Sequence, residues 1–202
     1  MQRLRSSLRW SRFPRSILYW SPLLFFSAHQ FPIHTVLGRS MQPTLNPDES
    51  MLRSDIGLFC RLPIYGEDFR RGDIVAMRSP TNPHRMLIKR IIALPGDTVK
   101  ALQPYPAAQV DIPEGHMWVE GDDPYHSYDS NHFGAVPLGL VESKLTGLLW
   151  PLERAGSVNR LHSSQRALER RRLRDNRLVK PIPSQKHSVR DSRDDISPRF
   201  IT

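Results

Sequence analysis

Cysteine is almost absent from this chain of 202 residues, in which Cys60 is the only one. A single cysteine excludes an intrachain disulfide and the paired-cysteine ligand sets of structural zinc sites. Small secreted domains stapled by disulfides are excluded with them. The length is sufficient for one domain of ordinary size with extensions.

Acidic residues are missing from the first 47 positions, which hold six arginines and carry a charge of +6. Residues 153–202 carry +7 and residues 48–152 carry −4, so the net charge of +9 comes from the two ends. Proteins that bind nucleic acid usually carry basic residues on the folded body itself. The charge distribution therefore indicates no nucleic-acid partner for the central body.

The N-terminal region divides into a basic segment and an uncharged one. Residues 1–16 are rich in Arg and Ser, which is typical of a mitochondrial transit segment and of the basic flank inside a membrane anchor. Residues 17–37 lack Asp, Glu, Lys and Arg over 21 positions, which is long enough to span a bilayer. We predict a transmembrane anchor there. An interfacial helix or a core segment is the alternative, because Ser, Pro, Gln and His interrupt the apolar run.

The central region, residues 38–152, predicts a mainly β domain. Short apolar runs, such as DIVAM at 73–77 and RMLIKRIIAL at 85–94, are separated by Gly and Pro turns, as is typical of β structure. No long segment in this region has the 3.6-residue period of an amphipathic helix. Residues 153–202 are basic, polar and Pro-containing, and they predict a mostly disordered tail.

The stretch SMQPTLNP at 40–47 places Ser40 at the start of a proline-containing turn. Proline lacks an amide donor and fixes φ, so two prolines in this stretch exclude a regular helix. A serine in such a turn most often caps or bridges the backbone. From this stretch alone, a structural and a chemical role for Ser40 both stay open.

Lys89 is one of only five lysines and lies within the apolar sequence MLIKRII. In a strand, Leu87, Lys89 and Ile91 share one face, and the apolar residues on both faces predict burial on both sides. Burial disfavours the ammonium form and lowers the pKa of a lysine. A neutral lysine can act as a general base. The alternative is a lysine at a strand edge with its ammonium group in water.

The segment GDDPYHSYDSNHFG at 121–134 is dense in Asp, His and Ser, and it has three interpretations. Its Asp and His residues could bind a metal, although no zinc-ligand spacing is present. Ser40 could belong to a Ser-His-Asp triad completed by one of three histidines, His116, His126 or His132. The segment could also be a loop in which Ser127 and Asp129 point the same way and orient a neighbouring group.

Four motifs occur in order along the chain: GRSMQPTL, RGDIV, IKRIIALPGDTV and GHMWVEGDDPYHSYDSNHFGAVPLGLV. Together they resemble the type I signal peptidases, the leader peptidases that use a serine/lysine dyad. The resemblance covers about Val36–Pro151 and implies a signal-peptidase-like antiparallel β body with an N-terminal membrane-anchor helix. The form HSYDSNHFG, with Asn131 where most members have arginine, is similar to the mitochondrial inner membrane members of the family.

The resemblance implies a role for each part of the predicted site. Ser40 matches the nucleophile, and its backbone amide matches a donor to the oxyanion. Lys89 matches the general base. Ser127 matches the serine that orients this lysine, and Asp129 matches the acid that braces the loop. The family implies no metal and no organic cofactor.

Three positions depart from the family pattern. Gly38 stands where bacterial members often have a serine whose hydroxyl helps bind the oxyanion, so the second oxyanion donor is not identified. Asn131 removes a buried ion pair between an arginine and Asp129. The sequence Gly121-Asp122-Asp123 replaces the usual GDN and adds an acid near the loop.

The resemblance also implies a biological setting. It implies a membrane-anchored endopeptidase that removes leader or sorting peptides from precursor proteins delivered to the mitochondrial intermembrane space. The enzyme would sit in the inner membrane with its catalytic domain facing that space, in a hetero-oligomer with a related catalytic subunit. Two alternatives stay open: a catalytically silent β subunit that stabilises a sister peptidase, and a leader peptidase of another membrane.

Overall fold

The computed structural model describes residues 15–47, 54–62, 68–158 and 175–180. Nearly all of the predicted basic segment 1–16 lies outside the described residues, and so do 159–174 and 181–202 of the predicted tail.

Strands dominate the described chain. Its helices include α1 (Arg15–Gln30) and a single turn, α2 (Ser130–Phe133). The strands are β1 (Ile33–Thr35), β2 (Ile56–Cys60), β3 (Ile74–Arg78), β4 (Met86–Ala93), β5 (Thr98–Lys100), β6 (Gln109–Asp111), β7 (His116–Glu120), β8 (Val136–Pro137), β9 (Val141–Trp150), β10 (Gly156–Ser157) and β11 (Leu178–Lys180).

Two antiparallel sheets organise these strands. The main sheet has the order β1-β2-β9-β3-β4-β7-β8, and β10 adds to β9. The smaller sheet has the order β11-β5-β6. Trp118 on β7 packs with Val99 on β5 and with Ile112, so a shared apolar cluster joins the two sheets. The mainly β prediction is confirmed.

Strand β4 carries Lys89 through the interior of the main sheet. The residues from Lys89 to Ala93 are all buried, which confirms the predicted burial on both faces. On one face, Leu87 and Ile91 belong to an apolar cluster shared with β3 and β7. On the other face, Ile88 packs against the cluster around Phe59. Since alternate residues of a strand share a face, Lys89 points to the side of Leu87 and Ile91.

Helix α1 ends earlier than the uncharged segment predicted. The amide of Phe31 still donates to the Ser27 carbonyl at 2.9 Å, but Pro32 has no amide with which to continue the helix. Ile33–Thr35 then pairs with β2 as β1. The predicted anchor over 17–37 therefore extends too far, because its last residues belong to the β body. Among the residues that the structure describes, no helix is both long and apolar enough to cross a membrane.

The predicted disordered tail starts too early. Residues Gly156–Ser157 pair with β9 as β10, and Leu178–Lys180 pairs with β5 as β11. Arg154 forms an ion pair with the buried carboxylate of Asp55 at 2.8 Å. These short pieces are held by partners far away in the chain, so their local composition does not reveal them.

Candidate active site

The turn that carries Ser40 is fixed from inside the fold. Met41 and Leu45 are buried in the same apolar cluster as Phe59, and the Leu45 amide donates to the Met41 carbonyl at 2.9 Å. Asn46 closes the turn by donating from Nδ2 to the Val36 carbonyl at 2.7 Å. Ser40, at the start of the turn, stays partly exposed. The turn thus presents a hydroxyl at the surface from an anchored backbone.

A buried ion pair holds the same turn from the C-terminal side. Arg154 donates to both carboxylate oxygens of Asp55 at 2.8 Å and to the Thr44 carbonyl at 2.6 Å. Asp55 in turn accepts from the Asn46 amide at 2.8 Å. Since the Asp55 side chain is 1% exposed, its charge depends on Arg154 for compensation.

Lys89 is buried and hydrogen-bonded. The residue is 3% exposed, and its Nζ donates to the Ser127 Oγ at 3.0 Å. Burial lowers the pKa of Lys89 to about 8, against the opposing pull of the Asp129 carboxylate. More of the amine is therefore neutral close to neutral pH than in an exposed lysine.

Ser127 uses its whole hydrogen-bonding capacity. Its hydroxyl accepts from Lys89 and from the Gly121 amide at 3.1 Å, and it donates its single proton to Asp129 at 2.6 Å. Because that proton is committed to Asp129, Lys89 can only donate to Ser127. The lone pair of a neutral Lys89 amine is thus not consumed by this contact.

Asp129 braces the loop that carries Ser127. Its carboxylate accepts from the Gly121 amide at 2.9 Å, and it caps α2 by accepting from the Asn131 amide at 3.1 Å. The Asn131 side chain donates to Asp129 at 3.1 Å and to Glu120 at 3.0 Å. The side-chain amide therefore takes the place of an arginine partner and links two buried carboxylates.

Gly121 is the point at which the Ser40 turn meets the lysine. A Cβ on Gly121 would lie 2.4 Å from the Ser40 carbonyl oxygen and 2.3 Å from the Ser127 Oγ. Only glycine fits such a close approach. The Asp123 amide adds a hydrogen bond to the Ser40 carbonyl at 3.1 Å. The three segments that carry Ser40, Lys89 and Ser127 thus converge, although among the described residues no hydrogen bond joins the Ser40 hydroxyl to the Lys89 amine.

A second buried ion pair ties β4 to the Ser40 turn. Arg90 donates to the two oxygens of Asp122 at 2.8 and 2.5 Å. It also donates to the Gly72 carbonyl at 2.9 Å and to the Thr44 hydroxyl at 3.3 Å. Sequence reasoning missed this pair, although the charge of Arg90 beside Lys89 in an apolar strand called for a partner.

The additional acid, Asp123, pairs with a histidine. Burial raises the pKa of Asp123, but hydrogen bonds from His126 and the Tyr125 amide outweigh it and lower the pKa overall. The His126 ring nitrogen lies 2.8 Å from the Asp123 carboxylate, and the His126 side chain is 55% exposed.

The structure does not assemble a Ser-His-Asp triad among the described residues. His126 contacts Asp123, His132 packs on Tyr128, and His116 contacts the Glu114 carbonyl. None of these histidines is hydrogen-bonded to Ser40 within the described part of the chain. No three metal-ligand side chains converge within residues 15–47, 54–62, 68–158 and 175–180.

A cleft of about 380 Å³ opens beside the Ser127 loop. Its lining includes Leu102, Gly121, Ser127, Asp129, Asn131 and Arg177. The hydrogen-bonded side chains of Ser127, Asp129 and Asn131 therefore line a pocket to which Arg177, from the segment 175–180, also contributes.

Comparison with known proteins relates the chain to signal peptidases. Residues 13–104 match the family described as signal peptidase, peptidase S26. Mitochondrial inner membrane protease subunit 2 of Schizosaccharomyces pombe is 42% identical over 144 residues, covering 71% of this chain and 78% of that protein. The subunit 2 of Saccharomyces cerevisiae is 38% identical over 175 residues, covering 86% of this chain and 99% of that protein.

Two further relatives extend the comparison. The subunit 2 of Mus musculus is 49% identical over 119 residues, covering 59% of this chain and 67% of that protein. Superposition on a signal peptidase I from Enterococcus faecalis gives 29% identity and a TM-score of 0.35, over 39% of this chain and 97% of the other.

A serine-type peptidase is the class that these family and relative matches define. More particularly, the chain belongs to the type I signal peptidase family, peptidase S26. The expectations of family and of enzyme class are confirmed.

Proposed function

We propose that the protein is a membrane-associated endopeptidase in which Ser40 and Lys89 form the catalytic dyad. Its task is to remove leader or sorting peptides from proteins delivered to the mitochondrial intermembrane space. The observation that carries this proposal is the state of Lys89: it is buried, has a pKa of about 8 and is hydrogen-bonded to Ser127. A lysine with that pKa is suited to act as a base near neutral pH.

The first half of the reaction acylates the serine. Neutral Lys89 takes the Ser40 hydroxyl proton while the Ser40 Oγ bonds to the scissile carbonyl carbon and the carbonyl electrons move to oxygen. The Ser40 backbone amide donates to the resulting oxyanion, a contact worth about 3 kcal/mol of barrier for one donor. When the intermediate collapses, the C–N bond breaks, and Lys89 returns the proton to the leaving amine.

The second half releases the product. Lys89 takes a proton from a water molecule, whose oxygen attacks the acyl carbon. The C–Oγ bond then breaks and Lys89 returns the proton to Ser40. Throughout the cycle Ser127 accepts from Lys89 and fixes the direction of its amine, because the proton of Ser127 is committed to Asp129.

The names of the relatives support the proposed location. The proteins from S. pombe, S. cerevisiae and M. musculus are all named as subunit 2 of the mitochondrial inner membrane protease. We infer the same membrane for this chain, with the catalytic domain facing the intermembrane space and a related catalytic subunit as partner. The exposed apolar side chains of α1 and the arginines that precede them in the sequence support membrane attachment through the N-terminal region.

Substrates bind as extended strands in this proposal. An extended segment adds backbone hydrogen bonds along a strand of the enzyme, and side-chain pockets then set the preference. Precursors with small residues before the cleaved bond, as the family resemblance implies, are the expected substrates.

The experiment compares single substitutions in the full chain, placed in mitochondria that lack the endogenous enzyme. Ser40→Ala and Lys89→Met are expected to leave precursors uncleaved in isolated inner membranes. Ser157→Ala and Lys100→Met, at exposed positions, serve as matched controls and are expected to cleave normally. Normal maturation by either Ser40→Ala or Lys89→Met would disprove the dyad and favour a subunit that only stabilises its partner.

A further inference from the structure

The segment 175–180 is attached to the smaller sheet through both its backbone and its side chains. Leu178 pairs with Val99 in β5, and the Lys100 amide donates to the Arg177 carbonyl at 2.9 Å. The Arg177 guanidinium donates back to the Lys100 carbonyl at 3.0 and 2.8 Å. These reciprocal contacts fix the position from which Arg177 reaches its next partner.

That partner is Glu120, at the end of β7. Arg177 donates to both Glu120 oxygens, at 2.7 and 2.6 Å, and the Glu120 side chain is 7% exposed. Glu120 also accepts from the Trp118 indole at 2.9 Å and from Asn131 at 3.0 Å. A carboxylate buried to this degree is stabilised by the cation beside it.

Glu120 is connected to the proposed catalytic lysine by a continuous row of contacts. Asn131 bridges Glu120 and Asp129, Asp129 accepts from Ser127, and Ser127 accepts from Lys89. The next residue after Glu120 is Gly121, whose amide donates to both Ser127 and Asp129. A shift of Glu120 is therefore expected to move Ser127, which is bonded to Lys89, and Asp129, which is bonded to Ser127.

We propose that Arg177 is a positioning residue of the active site, which neutralises Glu120 and thereby holds the Ser127 loop against Lys89. The inference rests on the proposed role of Lys89 as the base. Position 131, an asparagine, supplies no cation to this loop. Arg177 supplies that charge from a segment 57 positions beyond Glu120.

The charges around Lys89 determine how the loss of Arg177 changes the pKa of this lysine. Asp129 and Asp122 raise the pKa of Lys89, and Arg85 lowers it. Glu120 lies one side chain beyond Asp129 and is neutralised by Arg177. Without Arg177, its charge adds to those of the other two acids, which favours protonated Lys89 and raises its pKa.

The test measures kcat and KM against pH for cleavage of a precursor peptide by the full chain with its partner subunit in vesicles. Arg177→Met is expected to lower kcat about tenfold at neutral pH and to move the acidic limb of the profile up by about one pH unit, with little change in KM. Glu120→Gln in the Arg177→Met background is expected to return the limb to its original position. Arg177→Lys is expected to restore part of the activity.

Arg70→Met is the matched control, because it removes one arginine whose side chain is 71% exposed. A profile of Arg177→Met that coincides with that of Arg70→Met would overturn the inference. The inference would also be wrong if Arg177→Met lost activity while the acidic limb of its pH profile stayed in place and Glu120→Gln restored nothing in that background. The role of Arg177 would then be structural. The Lys89→Met variant separates the two proposals. If Lys89→Met is active, the dyad is refuted. If Lys89→Met is inactive while Arg177→Met is normal, only the role of Arg177 is refuted.

Discussion

The Lys89 amine lies 3.0 Å from the Ser127 hydroxyl oxygen, and both side chains are buried. The direction of this hydrogen bond is fixed, because the Ser127 proton goes to Asp129. The lysine is thus oriented by a group that cannot compete for its lone pair.

Activity is expected to rise with pH through about 8. Burial lowers the pKa of Lys89 to about 8, and only the neutral amine can accept the serine proton, so protonation below that pH removes the base. The measurement is kcat/KM for a precursor peptide across the neutral and mildly alkaline range. An acidic limb near the usual lysine pKa of 10.5 would contradict the burial effect.

Ser127→Ala is expected to lower kcat by about tenfold or more while KM changes little, because the amine loses the acceptor that orients it. Steady-state kinetics of the purified variant provide the measurement. Ser143→Ala is the control, since the buried Ser143 hydroxyl has no hydrogen-bond partner among the described residues and its loss leaves none of them unpaired. Equal kinetics in the two variants would argue that Ser127 does not orient the lysine.

Gly121→Ala is expected to reduce both activity and stability. The added methyl group would lie 2.4 Å from a backbone oxygen of Ser40, so the turn must move, at a cost of about 1–3 kcal/mol. Denaturant unfolding and peptide cleavage measure the two effects. Gly139→Ala, where a Cβ would meet no atom of the described part of the chain within 4 Å, should leave both unchanged. A tolerated Gly121→Ala would show that the Ser40 turn is not held as described.

Arg154→Met is expected to lower the free energy of unfolding by about 2 kcal/mol or more, because it leaves the buried Asp55 carboxylate without its cation. Chemical denaturation measures the change. Arg78→Met is the comparison, since its ion pair with Glu142 is half exposed and such pairs are worth about 1 kcal/mol or less. The interpretation is wrong if the two losses are equal.

Binding to lipid vesicles is expected to depend on the apolar surface of α1. Trp20, Leu23, Phe25 and Phe26 are exposed on this helix, and burial of such side chains in a bilayer is favourable. Replacement of all four with serine should weaken cosedimentation of the full chain with anionic vesicles by about tenfold or more. Tyr125→Ser, at a residue that is 93% exposed elsewhere, serves as the control. Undiminished binding of the fourfold variant would place the membrane contact outside α1.

The sequence predicted the β body and the burial of Lys89 because both are local patterns. The sequence MLIKRII predicts a strand with apolar residues on both faces, and most residues of this strand are buried as expected. The Ser127 loop was likewise visible as a dense polar segment between glycines. The predicted roles of Ser40, Lys89, Ser127 and Asp129 remain predictions.

Long-range pairing was what the sequence could not reveal. The strand β11 is only three residues long and exists because β5 offers it an edge. Arg177 lies in a basic region where nothing distinguishes it from its neighbours, and its partner Glu120 is 57 positions away. The end of α1 was also missed, because the uncharged run continues past Pro32 into residues that pair with β2.

The contacts of Arg154 with Asp55 and with the Thr44 carbonyl influence the order of folding. Arg154 reaches the Thr44 carbonyl across 110 positions of sequence, and β2, which pairs with β1 on one side, gains its second neighbour only when β9 is present. Contacts of such separation form slowly, since a long loop must close before they contribute. A chain emerging N-terminus first would therefore expose Ser40 early but complete the contacts that hold its turn only near the end of folding.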